Sequence, residues 1–353
     1  MLEWLPSIPP ATVVAGKTLV ESAGPDQMEK HMAASTLDDI RDAGQVGPEP
    51  SEEYLQRLNA LDNVVRECIH VSRQYGGIRS PTSKHFYASV LFTSLVTKGV
   101  TLAIFCPLSP WATKVIEHWD YGSLTGVVRS MLETRLAFFY LCVDPCSPEE
   151  WECRWNLFNL HDCVARIRLF EAQEEMTGRA APDLDGFNTQ ADELRQRLTS
   201  NSFFTALPEK QQKKFLKGRD AYLYPLEDVA ERAGVGRSTF KYLHVLFSQH
   251  VHGLPMSFYR MGGENAERGR GLPSEIEENY TSLCLSFAAT LLVGARDELH
   301  ELFAGLSNES EPTADSNVRP HSPKRSAGIN RLRIAIVCVA LIIAGAVLVG
   351  WFT

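Results

Sequence analysis

The stretch "SPEEWECRWNLFNLHDCVARIRLFEAQEEMTG", residues 147–178, decides the fold. Ser147 is a good N-cap residue, Pro148 fits a first turn where its missing N–H costs nothing, and Glu149 and Glu150 sit where the helix dipole favours negative charge. The helix these signals open continues to about Met176, and Gly178 supplies its stop. Working outward, helices are predicted over 51–74 behind Ser51, 82–105 before the "CPLSP" break, and 123–143. Further helices follow near 189–199, 208–217, 226–233 and 238–251, and a long one over 274–303 opens with Ser274 and its capping-box partner Glu277. No run alternates with period two over a useful length, so the expected fold is all-α, a multi-helix bundle over 51–305. Residues 1–50, rich in Pro, Gly and Ala, are expected to be mostly disordered, and 306–333 reads as a flexible polar and basic tether.

Composition fits a folded protein and limits its partners. With 44% hydrophobic and 22% charged residues, 353 residues are enough for a full core. Lys and Arg number 35 against 43 Asp and Glu, a net charge of -8, so no global electrostatic attraction to nucleic acid is expected. The eight cysteines lie mostly in apolar helical surroundings without CxxC pairs and read as small buried hydrophobes in a reducing compartment. Cys142, Cys146, Cys153 and Cys163, with His161 nearby, match no zinc-ligand spacing, so no metal is expected. "ATVVAGKT" has Gly16, Lys17 and Thr18 of a phosphate loop, but Ala11 replaces the first glycine and no strand leads into it; no cofactor is expected either.

The end of the chain gives an address. "RLRIAIVCVALIIAGAVLVGWFT" carries no charge from Ile334 to Phe352, and at about 1.5 Å per residue that run is about 29 Å long, enough to cross a hydrocarbon core. Lys324, Arg325, Arg331 and Arg333 precede it, so the positive-inside rule keeps the N-terminal domain in the cytoplasm. The expectation is a single-pass, tail-anchored membrane protein with its transmembrane helix at 334–352. Ala340 with Ala344 and Ala346 with Gly350 have the small-xxx-small spacing of paired spans, which leaves room for a homodimer. At the other end, no basic residue precedes Lys17 and Pro6, Pro9 and Pro10 interrupt the apolar stretch, so no signal peptide is expected.

Function turns on "GVGRSTFKYLHVLFSQHVHG", residues 234–253, which has three readings. Extended backwards, "LEDVAERAGVGRSTFKYLHVLF" resembles the helix-turn-helix of tetracycline-repressor-type regulators at Ala230, Ala233, Gly234, Val235, Thr239 and Phe240. That resemblance implies DNA binding, but Glu227, Asp228 and Glu231 cancel Arg232, Arg237 and Lys241. Arg237 and His244 form an R-x6-H pair similar to that of the HEPN class of all-α ribonucleases, which implies metal-independent cleavage by an arginine that holds phosphate and a histidine that moves a proton. The pattern is loose, since Arg79 with His85 and Arg154 with His161 also satisfy it.

The third reading is structural. On a helical wheel Leu124, Val127, Val128, Met131, Leu132, Phe138 and Phe139 form an apolar face, with Arg129 and Glu133 one turn apart at its edge and Arg135 within it. Charges there must be paired, and Ser248 and His252, four apart on their own helix, are expected to complete a buried network with Arg129 and Glu133, while His250 is expected to be exposed. "VVRSMLETRLAFFYLCVDP" and "YLHVLFSQHVHG" together resemble a bacterial domain-of-unknown-function family, number 5677, in an Arg-x3-Glu helix and a later Ser-x3-His step. The resemblance implies a helical fold over roughly 50–305 and no known activity. The expected function is therefore a membrane-tethered binding or scaffolding module for a protein partner, with a HEPN-like ribonuclease and a membrane-held DNA binder as the alternatives.

Overall fold

The computed structural model describes residues 49–114, 117–178, 184–259 and 274–306. The expectations for 1–48, for the tether beyond Leu306 and for the span at 334–352 lie outside these residues. Among the described residues every regular element is a helix. They are α1 (Glu52–Gln74), α2 (Ser83–Phe105), α3 (Tyr121–Phe138, running on as a π-helical turn over Phe139–Val143), α4 (Pro148–Thr177), α5 (Leu184–Ser200), α6 (Ser202–Thr205), α7 (Glu209–Phe215), α8 (Leu226–Arg232), α9 (Arg237–Val251), α10 (Pro255–Tyr259) and α11 (Glu275–Phe303).

The helix starts follow their local chemistry. The side chains of Ser51, Ser147 and Ser274 accept hydrogen bonds from the backbone N–H groups of Tyr54, Glu150 and Glu277. Four helices form the main bundle. Val65 of α1 and Leu292 of α11 meet at Gly99 of α2, while Phe92 of α2 faces Phe138 of α3. Paired positions rise together between α1 and α11 (Cys68 with Leu292, Tyr75 with His300) and between α3 and α11 (Tyr121 with Glu277, Arg135 with Glu298), so these three run parallel and α2 runs against them. Helix α9 lies along α3 and reaches α11 through Phe247 on Phe287.

A second, smaller core gathers Cys153, Leu157, Leu160 and Cys163 of α4 with Leu194 and Leu198 of α5, Phe204 of α6 and Phe215 of α7. Helix α4 serves both cores, since Trp155 and Phe158 pack against the main one. Several expected boundaries are corrected. Helix α3 begins at Tyr121 behind Asp120, whose carboxylate caps Ser123, and its last turn widens to π geometry; α5 starts at Leu184; α6 and α10 are too short to carry a periodic pattern. The capping box at Ser274 is half formed, because the Glu277 carboxylate accepts instead from the N–H of Tyr121, at 3.2 Å, on the neighbouring parallel helix.

Candidate functional site

Helix α3 presents Arg129 and Glu133 toward α9. They form an ion pair at 2.5 Å, and both are only half-buried. The residue that meets them from α9 is His244: burial first, then the Arg129 charge, lowers its pKa below 6.5, while Glu133 and Glu227 pull the other way. Tyr222 lies close enough for burial and the Glu133 charge to raise its pKa. The four-residue network expected from the sequence is not assembled. The Ser248 hydroxyl donates to the His244 carbonyl at 2.6 Å, one turn back on its own helix, and His252 is exposed just past the end of α9. His250, expected on the surface, is half-buried with its ring edge-on to Tyr121 at 4.8 Å and tilted against Tyr280 at 6.1 Å, because the end of α9 turns that face toward the starts of α3 and α11.

Arg237 and His244 do not share a site. The Arg237 guanidinium is ion-paired with Asp228 and with Glu231, the latter at 3.1 Å, which ties the start of α9 back to α8. His244 sits two turns along and packs on Phe240. Helices α8 and α9 do form a helix-turn-helix. The turn works because Gly234 and Gly236 adopt φ of 80° and 72°, where a side chain would be strained, and the Val235 N–H closes on Ala230 O at 2.9 Å. Phe240, Leu243, Leu246 and Phe247 face inward, while Ser238, Lys241, Tyr242 and Val245 remain exposed.

The most deeply buried charge lies elsewhere. Arg154 of α4 is 1% exposed and donates to Glu150 Oε1 at 2.6 and 3.0 Å and to the Tyr140 carbonyl at 2.9 Å. Asp144 Oδ2 is held by charge rather than by a linear hydrogen bond, 2.9 Å from Arg154 and 2.7 Å from Arg232 of α8. The Tyr224 hydroxyl also donates to Glu150 Oε1, at 2.7 Å, and its ring lies beneath both guanidinium groups. Burial, helped by the Glu150 bond, pushes the Tyr224 pKa up to about 12; burial would lower that of Arg154, but the Glu150 bond and the neighbouring negative groups outweigh it. The π turn carries the Tyr140 carbonyl and leads into Asp144, both of which meet the Arg154 guanidinium. Arg135 is the second sealed charge, 2% exposed, paired with Glu298 at 2.6 Å.

Of the cysteines read as small buried hydrophobes, Cys68, Cys106, Cys142, Cys153, Cys163 and Cys284 are free and buried, Cys146 is only half-buried and Cys338 lies outside the described residues; burial pushes the thiols of Cys68, Cys106, Cys142 and Cys153 up to about 12. Among the described residues no three His, Cys, Asp or Glu side chains converge as metal ligands. An open depression of about 380 Å³ between α4 and α5, lined by Glu152, Glu193, Gln196, Arg197, Ser200 and Asn201, shares no residue with the α3–α9 face or the Arg154 hub.

Residues 114–270 match the model of a family described as "Family of unknown function (DUF5677)". The match covers less than half of the chain and is narrower than the 50–305 expected from sequence. It runs from just ahead of α3 to just beyond α10, so it includes Arg129, Glu133, the Arg154 hub and α9 but neither α1, α2 nor α11. No curated protein and no solved structure matches the chain.

Proposed function

We propose that the chain is a helical binding module held at a membrane, with 334–352 spanning the bilayer, 306–333 as tether, the helical domain in the cytoplasm, and the outer face of α9 taking a protein partner. The observation that carries binding over cleavage is the position of Arg237. A metal-independent ribonuclease needs an arginine free to hold phosphate beside its histidine, whereas this guanidinium is occupied by Asp228 and Glu231 and His244 lies two turns away. The exposed side of α9 instead offers Tyr242, a side-chain type enriched among the anchors of protein interfaces, with the apolar Val245 uncovered on the same helix. The helix-turn-helix geometry of α8 and α9 favours DNA as a second reading, but the same two acids neutralise the cation at the start of the second helix.

The tests separate these readings. Truncation after Asn330 is expected to move the protein into the soluble fraction with its helical circular dichroism retained; continued membrane association would mean another attachment. Tyr242→Asp is expected to abolish crosslinking to a partner while leaving the thermal melt unchanged. RNA cleavage in EDTA that disappears in both Arg237→Ala and His244→Ala would replace binding with the nuclease, and retention on DNA that falls steeply with salt would replace it with the DNA binder.

A further inference from the structure

Helix α2 is, among the described residues, long and apolar enough to cross a membrane by length and composition, with a mean hydropathy of 1.6. Its inner side is a core face, built on Ala88, Phe92, Leu95, Gly99 and Leu102. The outer side follows its own helical spacing, Phe86, Val90, Thr93, Thr97, Thr101 and Ile104, with Lys98 at its edge donating to Ser94 Oγ at 2.8 Å. Phe86 and Val90 are about half exposed, at 53% and 50%. The hydroxyls of Thr97 and Thr101 are satisfied within the helix, donating to the carbonyls of Thr93 and Thr97 at 2.8 and 3.1 Å. At the far end Phe105 is 61% exposed, and Leu108, 43% exposed, holds φ 55°, a conformation costly for leucine. A surface that leaves Phe86, Val90, Phe105 and Leu108 uncovered along one side calls for a partner.

One observation names the partner. The described chain leaves the fold beside the first turn of α2: His85 Nε2 lies 3.1 Å from the Leu302 carbonyl and its ring meets Phe303, and from there the sequence continues through Lys324, Arg325, Arg331 and Arg333 to the uncharged run 334–352. An anchor attached there brings the apolar face of α2 and the bilayer together at high effective concentration.

We infer that the outer face of α2, from Phe86 to Leu108, rests on the lipid surface of the membrane in which 334–352 is anchored, so that the helical domain docks on the bilayer in one orientation. This inference rests on the reading of 334–352 as a span. The test uses the full chain in vesicles of phosphatidylcholine and phosphatidylglycerol, in a Cys146→Ser, Cys338→Ser background, with an environment-sensitive fluorophore at Val90→Cys or Phe105→Cys and, as control, at Tyr242→Cys on α9. Co-flotation with vesicles, with both α2 labels blue-shifted and quenched several-fold more by nitroxide lipids than the α9 label, is the expected result. Co-flotation with all three labels equally unquenched overturns the α2 inference and leaves the anchor standing. Failure to float overturns the anchor and the inference together. Unquenched α2 labels combined with efficient crosslinking of Val90→Cys between copies assigns the face to a second copy of this chain instead.

Discussion

Glu277 lies between the starts of two parallel helices, 5% exposed, with the Tyr121 N–H as its hydrogen-bond donor. Burial raises its pKa from 4.5 to about 7, the Tyr121 bond working against that shift and the charge of Asp120 adding to it. The folded protein therefore binds this proton more tightly than the unfolded chain. Stability contributed by the protonated group is fully present below about pH 4.5 and is lost as pH rises through about 7, at a cost of up to about 3 kcal/mol. Glu277→Gln is expected to flatten that slope and to stabilise the domain at pH 8, as read from urea unfolding across the pH range; an unchanged slope would mean that another group carries it. Glu133 behaves oppositely to what a buried network would require. With its Arg129 pair half-exposed, Glu133→Ala is expected to cost only about 1 kcal/mol or less in a thermal melt, not the roughly 3–5 kcal/mol of a broken buried pair.

Elements show which parts of the fold are written locally. The starts of α1, α4 and α11 are legible because Ser51, Ser147 and Ser274 act on N–H groups three residues away. The i, i+4 pairing of Arg129 with Glu133 is legible for the same reason. The role of Arg154 is not: its partners need a π turn, which residues 139–143 do not announce, and an arginine brought in from α8. Spacing alone places Ser248 in a network, but its hydroxyl donates to the His244 carbonyl of its own helix. Loops hide similar constraints. Gly218, after α7, has φ 67°, and a Cβ there would stand 2.5 Å from Val164 Cγ2 on α4. Gly218→Ala therefore combines backbone strain with a clash and is expected to destabilise by more than about 1 kcal/mol, read as a lowered melting temperature. A neutral substitution would show that the loop can leave α4 freely.

At the scale of the whole domain, two cores of unequal size share α4. The main one draws on α1, α2, α3, α8, α9 and α11, while the smaller one rests on α4 to α7. Small cores open more readily, because less apolar area is lost on opening. What ties them is the Arg154 hub, where one guanidinium on α4 joins Asp144 beyond the π turn and, through it, Arg232 of α8. Arg154→Met keeps much of the side-chain volume but strips Glu150 of its guanidinium and leaves Asp144 with Arg232 alone, a loss expected to fall at or below the roughly 3–5 kcal/mol of a fully broken buried pair. If the hub is the tie between cores, that loss falls unevenly. Backbone amides of α5 and α7 are expected to exchange with deuterium faster than those of α1 and α11 in the native protein, and Arg154→Met is expected to widen the gap, with the centres of α1 and α11 protected as before relative to global unfolding. Uniform acceleration in all helices would show a single cooperative unit in which the hub merely adds to total stability.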